Sequence, residues 1–399
     1  METVILLNLG STSFKCKLYN AVEDNLIEVA NAEIESIGAS QSCFRFSSPD
    51  RIFEKDTVCP NHLKAFYRCM DALKAAGILA SIDDLDAVGY KAVHGGAISG
   101  THFVDDALLG EMQRMCSFAP AHNPIYLKLM REIREKHPTL IQVARFETSF
   151  HASIPRKRVL YGVPREWEKQ YGIRRYGFHG SSHEYISLRM KQLDPTATRV
   201  LSLHLGGSSS VCAIKNEQSI FSSMGATPQS GLYQNNRVGD FDVFCLPMLV
   251  EKHGTLEAVL RELTQNGGLR GVSGISNDLR TLLEAVRAGN EQAKIAVEAY
   301  CDGIVGYMGM GAAYMGGLDA IVFTGGIGFN SEIIREKIVS ALTLFNAKLD
   351  KNANIQNENE DALISNRDSD VRIWKIHTNE EYVLAMHIVG LLRGKEKNP

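Results

Sequence analysis

The sequence predicts an α/β protein of two lobes, related by duplication and hinged about a cleft. Strand-like and helix-like patterns alternate along 399 residues, a length too great for one ordinary core. A strand, glycine turn and strand open each half. No low-complexity linker separates the halves, which favours hinged lobes over independent beads.

The first of these units runs from Val4 to Leu18. Val4 to Leu7 are apolar and lead into Gly10-Ser11-Thr12, after which Phe14, Cys16 and Leu18 alternate with polar residues. Gly10 is expected to supply conformational freedom for the bend, with the local amides forming an anion-binding concavity beside Lys15. The second unit runs from Val200 to Ile214. At a constant offset of 196 residues, Leu205, Gly206, Ser209 and Cys212 repeat Leu9, Gly10, Ser13 and Cys16, and Asn216 repeats Asn20. Two unrelated hairpins are the alternative to duplication.

Between the two units, residues 20–60 read as further strands, Cys43–Phe46 among them. His62 to Leu79 has helical spacing, and Leu85 to Val93 returns to strand, placing Lys91 at a strand end before His94-Gly95-Gly96. Ala119-Pro120-Ala121-His122-Asn123-Pro124 leads into a helix at Ile125, and the strand Gln142 to Phe146 ends at Glu147. The first lobe is therefore expected to span 1–148, completed by a terminal helix over 383–399 that presents Leu384, Ile388 and Leu391 on one face.

The second lobe is expected over 149–382. Tyr176 to His183 opens a helix from Glu184 to Lys191, with Ser181 or Ser182 as its cap. Gly225 to Asp242, containing Arg237, has no periodicity, and irregular stretches of that length are usually functional. Gly271 to Arg280 reads as a loop entering a helix. Ala320 to Phe323 is a buried strand feeding a glycine turn at Gly325–Asn330, followed by a helix from Ile333 to Leu344. Thr378-Asn379-Glu380-Glu381 caps the terminal helix.

Composition narrows the function. Hydrophobic residues at 44% and charged residues at 22% are ordinary for a soluble globular protein, and a formal charge of −3 gives no global pull toward nucleic acid or anionic membrane. Eight cysteines without Cys-x-x-Cys or zinc spacing predict buried thiols in a reducing cytoplasm. A strand beginning within a few residues of Met1 leaves no room for a signal peptide. Gly303 to Leu318 is uncharged but interrupted by six glycines, which predicts a closely packed helix and no membrane span.

Eight motifs occur in one order: Asn8-x-Gly-Ser-x-Ser-x-Lys15, His94-Gly-Gly, Ala119-Pro-x-His-Asn-Pro124, Arg175-Tyr-Gly-Phe-His-Gly180, His204-Leu-Gly206, Asp278-Leu-Arg280, Gly326-Ile-Gly328 and Thr378-Asn-Glu-Glu381. Together they cover nearly the whole chain and resemble the acetate kinase family. The resemblance implies the ribonuclease H-like fold of actin and hexokinase type, shared with sugar kinases and heat-shock ATPases. It implies reversible transfer of a phosphoryl group between ATP and a short carboxylate such as acetate or propionate, giving ADP and an acyl phosphate. It also implies magnesium or manganese and a homodimer.

By that resemblance Asn8 and Glu380 help hold the metal, directly or through water. Ser11, Ser13 and Lys15 meet the phosphates from the first lobe, and His204, Leu205, Gly206, Gly207 and Ser208 meet them from the second. Asp278, Leu279 and Arg280, with Gly326, Ile327, Gly328, Phe329 and Asn330, form the nucleoside pocket. His179 and Arg237 stabilise the phosphoryl group in flight, helped by His122, as electrostatic phosphoryl-transfer catalysis requires. Glu147 orients the metal shell or the acceptor. Lys91 meets the carboxylate, and Val93, Ala121, Phe178 and Pro228 line the acyl pocket.

Each position also has a plainer reading. His179 between glycines can bond a backbone carbonyl, Asn8 can form a turn, Lys15 can be an exposed strand lysine, and Asp278 with Arg280 can cap a helix. His94, His151 and His183 read as structural.

The chain departs from the family pattern at several site positions. Lys91 replaces arginine, exchanging a two-pronged donor for a point charge. Glu147 replaces aspartate, Gly207-Ser208 replaces Asn-Gly, Phe329 replaces glutamate, and Gln234-Asn235-Asn236 replaces Met-Gly-Thr. Ala121 replaces leucine and enlarges the acyl pocket, which predicts an acid larger or more polar than acetate. The rival readings are a kinase of the same fold with a hydroxyl acceptor, for which Glu147 is a base, and a nucleotide-binding regulator without turnover. GTP or pyrophosphate are lesser alternatives as phosphoryl donor.

Overall fold

The computed structural model describes residues 1–356 and 359–395. It divides into two compact units, Met1–Ala152 with Asn379 onward, and Ser153–Thr378. Residues 396–399 of the expected terminal helix lie outside the described residues.

The first unit is built on an eight-stranded sheet whose strands are Glu2–Leu9 (β1), Ser13–Val22 (β2), Asn25–Glu35 (β3), Ser42–Ser48 (β4), Arg51–Thr57 (β5), Ala87–Ala92 (β6), Thr101–Phe103 (β7) and Gln142–Phe146 (β8). Their order is β5-β4-β3-β2-β1-β6-β8-β7. β1, β6 and β8 run parallel at its centre. The apolar run of β1 follows from cover on both faces. Ile5, Leu7 and Leu9 enter one core with the helix His62–Ala75, while Val4 and Leu6 pack against Leu384 and Ile388 of the C-terminal helix Glu380–Leu392. Edge strand β5, Arg-Ile-Phe-Glu-Lys-Asp-Thr, is mostly exposed, and its charges guard the edge.

The second unit repeats the plan in six strands: Arg199–Leu205 (β9), Ser209–Lys215 (β10), Gln218–Ser222 (β11), Ala320–Thr324 (β12), Ala362–Leu363 (β13) and Arg372–Lys375 (β14). The order is β11-β10-β9-β12-β14-β13, again a hairpin beside parallel strands. The glycine-rich helix Glu291–Met315 lies close on this sheet: a Cβ on Gly311 would come within 2.8 Å of Leu201 Cδ2. Among the described residues no helix is long and apolar enough to cross a membrane.

Two local expectations are corrected. Gly268–Ser273 is a short helix, so the loop before Asp278 is only 274–277. The expected glycine turn after β12 is helical, Gly325–Asn330, because Asn330 Nδ2 donates to Gly326 O at 2.8 Å and buried Arg335 donates to the carbonyls of Gly328 and Phe329.

Candidate functional site

In the first unit, parallel pairing brings Asn8, Lys91 and Glu147 to neighbouring C-terminal strand ends, where ligands of open α/β sheets are commonly held. The Glu147 N–H donates to Ala92 O at 2.9 Å, which aligns the last two. Glu380, in the first turn of the C-terminal helix, forms an ion pair with Lys91, each side chain less than 15% exposed. Burial disfavours the Lys91 charge, but the carboxylates of Glu147, Glu380 and Glu381 outweigh it and hold the ammonium above its ordinary range. Tyr126 reaches this cluster from the helix Asn123–Lys136, its hydroxyl accepting from Leu9 N–H at 2.9 Å. His122 immediately precedes that helix and makes no side-chain cap, Ala121 is exposed, and Val93 is half-buried.

The Gly10 corner is held by its own N–H donating to Ser13 O at 2.9 Å. Its φ is not positive, so the expectation of conformational freedom is corrected to one of room: a Cβ there would lie 2.4 Å from Ser13 Oγ. Ser11 is exposed and Ser13 half-buried. Lys15 is exposed, pairs with Glu33 at 2.6 Å, and shares with Asn8 and Glu381 a cavity of about 180 Å³. Among the described residues no three His, Cys, Asp or Glu side chains are grouped to hold a metal. Magnesium needs no such cage, because it keeps waters and binds through one or two carboxylates and substrate phosphates. The neighbouring carboxylates of Glu380 and Glu381 fit that donor set.

In the second unit, His179 sits at the start of the helix Gly180–Leu193 with φ +59°, a strained conformation for a side chain of its size. Its Nδ1 is 2.8 Å from Ser210 Oγ, and the same hydroxyl is 2.8 Å from His183 Nε2. His183, fully buried, is bonded on its other side to Ser202 Oγ at 2.8 Å. The His204 ring stacks on His179 with centroids 4.2 Å apart. Its Nδ1 meets Ser182 Oγ at 2.8 Å; the helix begins at Gly180 with His179 at its cap, so Ser181 and Ser182 lie inside it and the expectation of either as the cap is corrected. Phe178 is buried and Pro228 half-buried.

Arg237 lies on the irregular stretch after Gly225. Burial lowers its guanidinium from the ordinary value, yet its hydrogen-bond acceptors among the described residues are all uncharged: Ser208 Oγ at 3.1 Å, Gln234 Oε1 at 3.3 Å and Pro228 O at 3.5 Å.

Beside it opens a cavity of about 820 Å³, walled by Gly206, Gly207, Asp278, Leu279, Arg280, Gly326, Ile327 and Asn330, and of a size for a nucleotide. Asp278 also caps the helix Leu279–Arg287, accepting from Arg280 N–H at 2.8 Å, and pairs with the Arg280 guanidinium at 2.6 Å. His204 and Ser208 stand outside this wall, in the contacts just described. Leu205, Gly328 and Phe329 are buried, and the Phe329 ring packs on His377 with the Lys375 ammonium 5.2 Å over it. The expectation that Phe329 meets the nucleoside is thus corrected, since a helical turn in place of a loop faces it inward. Asn235, Leu283, Glu284 and Arg287 also line the cavity. The last three follow Arg280 at helical spacing, a signal present in the sequence.

Comparison with known proteins gives a consistent result. Residues 3–386 match the model of the acetokinase family. An acetate kinase of Shouchella clausii is 36% identical over 396 residues, covering 98% of this chain and 100% of the relative. The crystal structure of Porphyromonas gingivalis acetate kinase superposes with a TM-score of 0.87 at 33% identity, over 98% of this chain and 100% of that one. A propionate kinase from Francisella tularensis gives 0.89 at 29% identity, over 97% and 99%.

Proposed function

Since the chain belongs to the acetokinase family, and so is a phosphotransferase using ATP and a carboxyl acceptor, we propose that its preferred acid is larger or more polar than acetate and that Arg237 and His179 of the second unit act on the phosphoryl group. The observation that carries the second part is Arg237, a half-buried guanidinium that among the described residues has only uncharged acceptors, beside the Gly206 corner and the nucleotide-sized cavity.

Phosphoryl transfer asks the protein for alignment and charge rather than covalent chemistry. Arg237 and His179 stabilise the oxygens of the migrating group, with His122 as a further donor. Ser11, Ser13 and Lys15 hold phosphate oxygens, as do Gly206 and Gly207. Asp278, Arg280, Ile327 and Asn330 receive the nucleoside. Lys91, kept charged by its carboxylate neighbours, attracts the acid. Glu147 orients the acceptor and needs no base strength, because a carboxylic acid is already ionised at neutral pH. Asn8 and Glu380 would hold magnesium or manganese, which screens phosphate charge when bound.

Ala121 and Val93 leave the acyl wall wide, and of the three amides from Gln234 to Asn236 those of Asn235 and Asn236 supply partners for a hydroxyl, the Gln234 amide being buried and already bonded. Trapping the product with hydroxylamine over a panel of acids, with ATP and magnesium, tests the assignment. A hydroxamate forming fastest with propionate or a hydroxylated acid is the expected result; acetate clearly outperforming every other acid removes it. We further propose a cytoplasmic homodimer, supported by eight cysteines without a disulfide and by exposed Val243, Phe244 and Met248 beside Leu256 and Leu260. Light scattering reading a monomer at micromolar concentration would remove the dimer.

A further inference from the structure

Two departures from the family pattern, Ser208 and Gln234, touch each other and Arg237. No regular element fixes Arg237, so its aim depends on what its side chain meets. Gln234 is fully buried and firmly held. Its N–H donates to Arg237 O at 3.0 Å, its carbonyl accepts from Leu269 N–H at 2.8 Å, and its Nε2 donates to Pro228 O at 2.9 Å. That last bond fixes the amide so that Oε1 faces the arginine. Oε1 accepts from Ser208 Oγ at 2.7 Å and from Arg237 Nη1 at 3.3 Å, while Ser208 Oγ itself accepts from Nη1 at 3.1 Å. Every side-chain bond of Arg237 thus falls on Nη1. Among the described residues Nε and Nη2 have no hydrogen-bond acceptor.

We infer that Gln234 and Ser208 are positioning residues: they grip one arm of the Arg237 guanidinium and leave the other to the migrating phosphoryl group. The inference rests on the reading of Arg237 given above. Ser208 belongs to the corner between β9 and β10, so the clamp joins the phosphate corner and the loop arginine into one piece. A thioether at 234 and a glycine at 208, the residues of the family pattern, make none of these side-chain bonds. The pair therefore supplies in this chain a pre-orientation that the pattern lacks, of the kind that lowers the reorganisation needed during reaction.

The test is steady-state turnover of Ser208→Ala and Gln234→Met. Each is expected to lower kcat by about tenfold, the scale of a misaimed rather than deleted charged donor. KM for nucleotide and acid should stay within about twofold, and the double variant should fall little below Gln234→Met alone. In an Arg237→Ala background, adding Gln234→Met should change nothing further, an outcome that a general loosening of the loop would not give. Should Gln234→Met fail to fold, Ser208→Ala decides by the same comparison. Turnover within twofold of wild type for the single variants, or an undiminished Gln234→Met effect without Arg237, overturns the clamp. Wild-type turnover in Arg237→Ala would instead overturn the reading beneath it.

Discussion

The two glycine corners look alike in sequence and differ in what they present. In the first hairpin four residues separate the paired Leu9 and Phe14; in the second only Gly206, Gly207 and Ser208 separate Leu205 and Ser209. A one-residue slip changes which side chains stand opposite one another. Asn8 faces Lys15 across the first ladder, while His204 faces Ser210 across the second, although the sequence offset pairs Lys15 with Val211. β2 alternates buried with accessible positions, whereas β10 is buried from Ser209 to Ile214. The first corner therefore offers a solvated point charge, and the second a fixed set of imidazoles and hydroxyls. Duplication of the scaffold has not duplicated the chemistry.

The sharpest way to break this contrast is to remove the principal donor from each side. His179→Ala should cut turnover by about 10²–10³-fold, as loss of a preorganised donor does, while Lys15→Ala should cost about tenfold because an exposed charge is screened. Equal losses in the hydroxamate assay would erase the asymmetry. Next comes Ser210→Ala, which strips His179 Nδ1 and His183 Nε2 of a shared partner. It should lower unfolding free energy by about 1–3 kcal/mol, the cost of orphaning a buried polar group, and lower kcat with it. An unchanged urea midpoint would show that the second corner is no more rigid than the first.

The smallest effects are at the ion pairs. Arg199 and Asp319 join the start of β9 to the approach to β12, with a contact of 2.5 Å. Burial raises the Asp319 pKa, but hydrogen bonds from Arg199 and Thr198 outweigh it and hold the carboxyl below the usual range. Its folded pKa is thus below the unfolded one. The pair's stabilisation is present above about pH 4, the unfolded carboxylate range, and fades as pH falls toward the folded value. Asp319→Asn should cost about 1–2 kcal/mol near neutrality and progressively less in acid. The Lys15–Glu33 pair is more exposed, and Glu33→Gln should cost under about 1 kcal/mol. A larger loss at Glu33 than at Asp319, measured by denaturation across pH, would invert the comparison.

Much of the scaffold was legible. Apolar runs gave β1, β8, β9 and β12 because each is covered on both faces, helical spacing gave His62–Ala75, and the uncharged, glycine-interrupted stretch from Gly303 marked only the second half of the helix Glu291–Met315. Register was not legible, since whether Ser13 belongs to turn or ladder depends on hydrogen bonds that composition does not encode. Phe329 was misread for a related reason. Its glycine neighbours suggest a loop, and the helix there depends on Arg335, a residue beyond the motif. The mutual contact of Ser208 and Gln234, 26 positions apart, is a tertiary fact with no local sequence signature.

The C-terminal helix carries a consequence for synthesis. Glu380 and the residues that cover β1 come after Ser153–Thr378 in the chain, and Arg393 binds Glu2 through two hydrogen bonds, at 2.8 and 2.6 Å. On the ribosome, Ser153–Thr378 can mature as one uninterrupted piece, while the earlier-made sheet waits for its missing helix. Termination before the helix Glu380–Leu392 would therefore leave a product whose oldest part is unfinished, with Lys91 keeping Glu147 but lacking Glu380 and Glu381.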